Sequence, residues 1–281
     1  MDQDETTRLF DSLLRGTVGE FSAPTIAIIV AHPDDEVIGA GAQLPRLRNA
    51  HFIHVTDGAP LNPRDANTAG FATSEQYAHA RREELLAALA LAGIAPQRTC
   101  ELGFVDQQAS LNLPKLVGAL KRVLSELQPD VIFTHPYEGG HPDHDATAFA
   151  VQIACRLPGQ PGIAPPALVE MASYHAEGGN LRTNEFLCDG TGKIVTMALS
   201  QAEREFKRCL FDCFTTQQRV LCAFPIEFEH FRPAPHYDFT QPPHPGPLYY
   251  EHFDWGMTGV RWRELARKAL RALRLEDALC A

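Results

Sequence analysis

No apolar stretch in this chain is long enough to cross a bilayer. Met1 to Arg15 is acidic and amphipathic and lacks the basic start and apolar run of a signal peptide, so a cytoplasmic location is expected. Positive charge is short too. Lys and Arg number 25 against 35 Asp and Glu, a net charge of −10, which argues against non-specific nucleic-acid binding because that needs clustered cations. Cysteine is sparse. Cys100, Cys155, Cys188, Cys209, Cys213, Cys222 and Cys280 are odd in number and never stand in CxxC spacing, so reduced thiols are expected rather than a disulfide framework. The first apolar run is not followed by a GxGxxG turn, which removes a dinucleotide-binding module. Internal repeats and low-complexity tracts are lacking as well.

What is present is apolar content of 44% over 281 residues, enough for a sizeable core. Thr25 to Ala31 (TIAIIVA) reads as a buried strand, and Glu36 to Arg48 as a short helix weakened at its end by Pro45. His51–Thr56 is a second strand, and 57–74 a long Gly/Pro/Asn-rich loop. Helices are expected over 75–92 and 113–127, strands over 99–103 and 130–135, and a helix over 145–157. This alternation predicts an α/β fold: a Rossmann-like, doubly wound, mainly parallel sheet with helices on both faces. Residues 20–157 form its core in one domain spanning 1–281. Beyond it, 167–175 and 193–198 complete the sheet, 201–224 is a long helix, 225–255 is an irregular aromatic and proline-rich extension, and 260–275 is a basic terminal helix.

Two clusters carry the chemistry. His32-Pro33-Asp34-Asp35-Glu36 stands just past strand one, and His141-Pro142-Asp143-His144 just past strand four. In a doubly wound sheet those strands are neighbours at the switch point, where ligands bind at the carboxyl ends. Imidazole and carboxylate are ordinary zinc ligands, and a catalytic site uses three of them. His32 and Asp35, three apart on a turn, can converge on one ion, and His144 can supply the third ligand. Asp34 and His141 are then left over as proton-transfer groups. Each cluster alone is equally well explained by carboxylates complementing a helix start. Two histidines disfavour magnesium.

The chain resembles the LmbE-like, or PIG-L, family of zinc-dependent N-acetylglucosaminyl deacetylases. Ala31 to Glu36 matches AHPDDE and His141 to His144 matches HPDH, within the first 155 residues or so. The resemblance implies a Rossmann-like fold with Zn2+ on His32, Asp35 and His144; Fe2+ or another divalent transition metal would suit the same set. It also implies Asp34 as general base, with His141 stabilising the oxyanion or acting as acid. Arg81 and Glu84 in RREEL match a family helix whose arginine reaches the substrate, and Asp106 matches an aspartate that binds sugar hydroxyls. Asp143 and Asp145, behind His141, would favour its charged form. One departure stands out. Some family members carry tyrosine or arginine just before HPDH, whereas here Glu138, Gly139 and Gly140 stand there, which suggests a more open and acidic approach.

The expected reaction is hydrolysis of an N-acyl, by resemblance N-acetyl, group on an amino sugar or sugar-bearing metabolite. The alternatives are a non-sugar or thiol-conjugate amide, or a sugar-binding protein with a vestigial metal site. A binder has no need of Asp34 beside the ligands. The aromatics of 225–255 are expected to rim the substrate pocket, with a buttress or a homo-oligomer contact as equal uses.

Overall fold

The computed structural model describes residues 24–158, 162–187 and 193–275. Met1 to Arg15, Cys188 and Cys280 lie outside the described residues. The five described cysteines are free thiols.

β1 (Ile26–Val30) is wholly buried. It leads into α1 (Asp35–Ala40) and a 3-10 turn at Gly41–Gln43. The helix expected to Arg48 ends there. Pro45 cannot donate to the Gly41 carbonyl and its ring would clash with it. β2 (His51–Pro60) and β3 (Thr99–Asp106) both run past their expected ends. Their extensions carry polar residues such as Asp57 and Asp106 that hid them. Part of the loop after β2 is α2 (Arg64–Thr68), and α3 (Ser74–Leu91) follows with Thr73 as its N-cap. Next come α4 (Leu113–Leu127), β4 (Val131–Thr134) and α5 (Pro142–Arg156).

The second half departs further from expectation. The segment expected as one strand to His175 divides into β5 (Ala167–Met171) and β6 (Tyr174–Glu177). β6 pairs antiparallel with β7 (Asn180–Thr183) in a separate hairpin. Gly178 and Gly179, both at positive φ, supply its two-residue turn. After β8 (Val195–Ala198), the long helix breaks into α6 (Gln201–Asp212), a 3-10 turn at Thr215–Gln217, and α7 (Gln218–Leu221). The break is held by Glu84, whose carboxylate accepts from the Thr215 and Thr216 hydroxyls (both 2.6 Å) and the Thr216 amide (2.9 Å). The extension read as irregular contains β9 (Phe228–Pro233). α8 (Gly259–Ala272) closes the described chain.

Among the described residues, seven strands form one sheet in the order β3-β2-β1-β4-β5-β9-β8. β1 pairs in parallel with β2 and with β4, so the chain changes direction between β1 and β4, as expected of a doubly wound sheet. β9 enters antiparallel to β5 and β8. Side chains of β1 alternate between two cores. Ile26, Ile28 and Val30 share one core with Leu85, Leu89 and Leu210, while Ala27 and Ile29 share the other with Leu116, Phe149 and Trp262. Both cores press on the first strand, and its carboxyl end delivers the His32 turn to the switch point. No helix among the described residues is long and apolar enough to cross a membrane.

Candidate metal and catalytic site

The β1–α1 turn and the start of α5 meet where the sequence places them. His32 Nδ1 lies 3.2 Å from His144 Nε2 and 3.3 Å from Asp35 Oδ2, and His144 Nε2 lies 3.2 Å from Asp35 Oδ1. Two ring nitrogens and a carboxylate thus form a close triangle of buried donors, with one Asp35 oxygen towards each ring. A tetrahedral ion with bonds of about 2.0–2.1 Å sets its ligand atoms roughly 3.3–3.4 Å apart. The residues present therefore fit a divalent transition ion, and the donor set suits zinc chemistry. Among the described residues, metal-competent atoms gather in three overlapping groups: His32, His141 and His144; Asp35, His135 and His144; and His32, Asp106, His141 and Asp143; His144 joins the first two, and His32 and Asp35 fall in different ones.

Protonation agrees with that fit. Burial alone would raise Asp35, but the imidazoles of His144 and His135 outweigh it and hold the carboxyl well below its ordinary range. Burial pushes His144 down to about 3, so it stays neutral, as a ligand must. His32 is the exception. Burial opposes its charge, yet the Asp106 carboxylate and hydrogen bonds to Asp106, Asp143 and Asp35 hold its pKa well above the usual value. A cation held at Nδ1 would take the place of that proton and leave Nε2–H to donate to Asp106 Oδ1, 3.0 Å away.

Asp34 is the carboxylate that the triangle leaves out. It precedes α1 with φ 120° and ψ −25°, and its side chain makes no cap hydrogen bond. It faces Arg81 instead, whose Nη2 donates to Asp34 Oδ2 at 3.0 Å and to the Pro33 carbonyl at 2.7 Å. Arg81 Nη1 donates to the Gly58 carbonyl at 2.6 Å. A Cβ on Gly58, itself at positive φ, would lie 2.4 Å from that guanidinium nitrogen, so glycine opens the space the arginine fills. Arg81 lines the cavity but uses these donors to fix Asp34 rather than standing free at the mouth. Burial is the main force on Asp34 and pushes its pKa up to about 8 against the pull of Arg81.

The backbone at Asp34 yields a first prediction. Glycine in place of alanine in an ordered backbone normally costs about 0.5–1 kcal/mol. Here a Cβ must be held at positive φ, a strain of about 1–3 kcal/mol. Asp34→Gly is therefore expected to melt above Asp34→Ala. Thermal unfolding of the two variants checks it, and an alanine variant melting at or above the glycine one would remove the strain.

His141 caps α5. Its Nδ1 accepts from the Asp143 amide at 3.1 Å, which leaves Nε2 as the donor, 3.7 Å from Asp106 Oδ1 and beyond hydrogen-bond reach of it. The expected support from Asp143 and Asp145 is absent. The Asp143 carboxylate accepts from the Gln107 and Ala109 amides, and Asp145 accepts from the Gly139 amide. Burial, then repulsion from His32, holds His141 well below its ordinary pKa, so it is a neutral donor and not a standing cation.

Asp106 lines the cavity but spends a carboxylate oxygen on His32 Nε2, 3.0 Å away, which motivates a second prediction. Removing a carboxylate that orients a ligand typically costs 10–100-fold in metal affinity. Asp106→Asn is expected to weaken zinc binding by roughly that factor, read by competition with a chelating dye. Unaltered affinity with only a raised KM would return Asp106 to the sugar-binding role.

The acidic approach predicted from Glu138 is corrected. Glu138 is buried and accepts from Arg232 Nη2 (3.1 Å) and the Leu187 amide (2.8 Å). Gly140 has a steric duty: a Cβ there would stand 2.0 Å from the Tyr174 carbonyl oxygen. The approach is lined instead by Tyr174, whose ring meets His144 edge-on at 5.2 Å. Sequence reasoning missed two further neighbours of the triangle. His135 lies 3.2 Å from Asp35 Oδ2 and stacks on His144, and Ser173 Oγ is 3.4 Å from His144 Nδ1. The aromatic extension divides. Phe231 and Tyr250 are core, while Tyr249, Phe253 and Trp255 line the cavity that holds His32, Asp34 and Asp35.

Comparison with known proteins supplies the family. The PIG-L pattern, described as GlcNAc-PI de-N-acetylase, matches residues 27–155. The "Uncharacterized deacetylase YaiS" of Escherichia coli is 31% identical over 136 residues, 47% of this chain and 68% of that protein. This chain belongs to the PIG-L family. It is also similar to the "Probable N-acetyl-alpha-D-glucosaminyl L-malate deacetylase 2" of Bacillus cereus, at 30% identity over 139 residues. That match spans 47% of this chain and 62% of the relative's length. Among solved structures, the zinc-inhibited form of teicoplanin deacetylase Orf2 shares the fold, with a TM-score of 0.54 at 17% identity over 76% of this chain and 99% of the other. The PIG-L match contains both histidine clusters and ends before Tyr174 and the aromatic extension.

Proposed function

We propose that this PIG-L chain hydrolyses the N-acyl group, in the simplest case N-acetyl, of an amino sugar or a metabolite that contains one. The observation that carries the reading is the triangle of His32 Nδ1, Asp35 and His144 Nε2, with Asp34 left over beside it. When bound there, a divalent ion, zinc in this proposal, supplies Lewis acidity and lowers the pKa of water.

The protein groups divide the rest of the work. Asp34, held by Arg81, takes a proton from the attacking water as its oxygen joins the acyl carbon. The neutral Nε2–H of His141, fixed as a donor by the Asp143 amide, bonds to the oxyanion that develops on the carbonyl oxygen. As the C–N bond breaks, the leaving nitrogen recovers the proton from Asp34, and a carboxylic acid and an amine remain. Burial of the whole set keeps competing water out and strengthens each of these bonds. The relative named for N-acetyl-glucosaminyl malate supports an amino-sugar amide as the bond broken.

The test is an acyl-release screen with zinc-loaded protein over N-acetylated amino sugars and their conjugates, with non-sugar amides alongside. Release from the sugar amides is expected. Release confined to non-sugar amides would discard the sugar, and release from none would discard the reaction.

A further inference from the structure

The cavity above the triangle, about 930 Å³, is lined in two manners. Arg64 and Asp65 offer polar groups suited to sugar hydroxyls. The remainder is dominated by rings joined in series. Tyr174, already against His144, meets Tyr249 at 5.7 Å between centroids. Tyr249 meets Phe253 at 5.3 Å. Phe253 stacks on Trp255 at 4.5 Å with 12° between planes, and Trp255 meets His141 at 4.9 Å. The series thus begins on one histidine of the HPDH cluster and returns to the other. All four rings come from residues beyond 27–155, so the PIG-L pattern says nothing of them.

Two further observations bear on what this wall meets. Phe253 is 39% exposed although it lines a cavity, and Leu181 (39%) and Val220 (46%) are exposed along the same lining. Large apolar side chains left open together at a cavity mouth mark a ligand contact. The volume also lies near the top of the range for drug-sized ligands, more than one N-acetyl sugar fills. Phe253, backed by Trp255 and by the edge contact with Tyr249, keeps exposed ring surface on which a further ring can pack.

We propose that the substrate carries an aromatic group covalently attached to its N-acylated amino sugar, and that this group packs on the exposed part of the Phe253 ring. The inference rests on the N-deacylation reading and narrows it. The ring can enter from either side of the amide, as an aryl aglycone on the sugar or as an aromatic N-acyl group. The two give the same stacking chemistry.

The experiment compares kcat/KM for N-acetylglucosamine, its para-nitrophenyl glycoside and N-phenylacetylglucosamine, in zinc-loaded wild type and Phe253→Ala. An aromatic stack with its buried area is expected to favour one aryl substrate by about tenfold or more over N-acetylglucosamine. Whichever aryl substrate gains identifies the side of entry. In Phe253→Ala that preference is expected to fall towards unity. The readout is a ratio within one protein, so any loss of folded material cancels. Acyl release without aryl preference, or a preference that Phe253→Ala leaves intact, overturns the aromatic substrate and spares the deacylation reading. Release from none of the three overturns the deacylation reading for these sugars, and the aromatic substrate falls with it.

Discussion

Asp34→Asn is expected to keep its metal and lose about 10²–10⁴-fold in turnover, the usual worth of a positioned general base. Asparagine preserves the size of the side chain and an oxygen for Arg81, which now binds Asp34 at 3.0 Å. It removes the ability to accept water's proton. Asp34 belongs to no edge of the donor triangle, so metal content should hold. The pH profile carries a second signature. The working base is the charged carboxylate, so wild-type activity falls as pH drops through the Asp34 pKa. Burial sets that pKa high, at about 8 without a cation, and a bound cation moves it down. The asparagine variant should lack this acid limb. Undiminished turnover in Asp34→Asn would exclude Asp34 as the base, and simultaneous loss of metal would make it a ligand.

His144→Ala is expected to lose metal, and activity with it. His144 is one corner of the triangle, and its burial-lowered pKa of about 3 keeps the nitrogen free to bind an ion across the neutral range. Removing a direct ligand should cost more than the 10–100-fold typical of an orienting partner such as Asp106. His144 lies within the first turn of α5, where alanine is a good helix former, so the fold is expected to survive. Metal analysis with circular dichroism as a fold control makes the test. A folded His144→Ala protein that retained a full complement of zinc would remove His144 from the ligand set.

The sequence carried the site better than its surroundings. The run Ile26–Val30, buried on both faces, is nearly pure β-branched residue and announces a central parallel strand. The switch point then follows from chain order, and the two histidine clusters are local motifs whose spacing needs no tertiary knowledge. His135 was within reach of the same argument, because it too stands at the carboxyl end of the fourth strand. What escaped depends on partners distant in sequence. β9 was hidden because two of its residues are buried ions: Glu229 bonds Lys207 at 2.8 Å, and Arg232 bonds Glu170 at 2.7 Å. Neither pairing leaves a period-two apolar trace. The buried place of Glu138 depends on Arg232, 94 residues away. Asp106 sits on His32 because β3 runs three residues past Gly103, beyond its visible apolar pattern.

Zinc titration of chelator-stripped protein, with acetate release from an N-acetylated amino-sugar substrate as the signal, joins the metal site to the reaction in one curve. Release is expected to be absent from the stripped protein and to rise to a plateau near one ion per chain, as for a catalytic site of three protein ligands. Full-rate release from metal-free protein would contradict the assignment of His32, Asp35 and His144 as the centre of the chemistry.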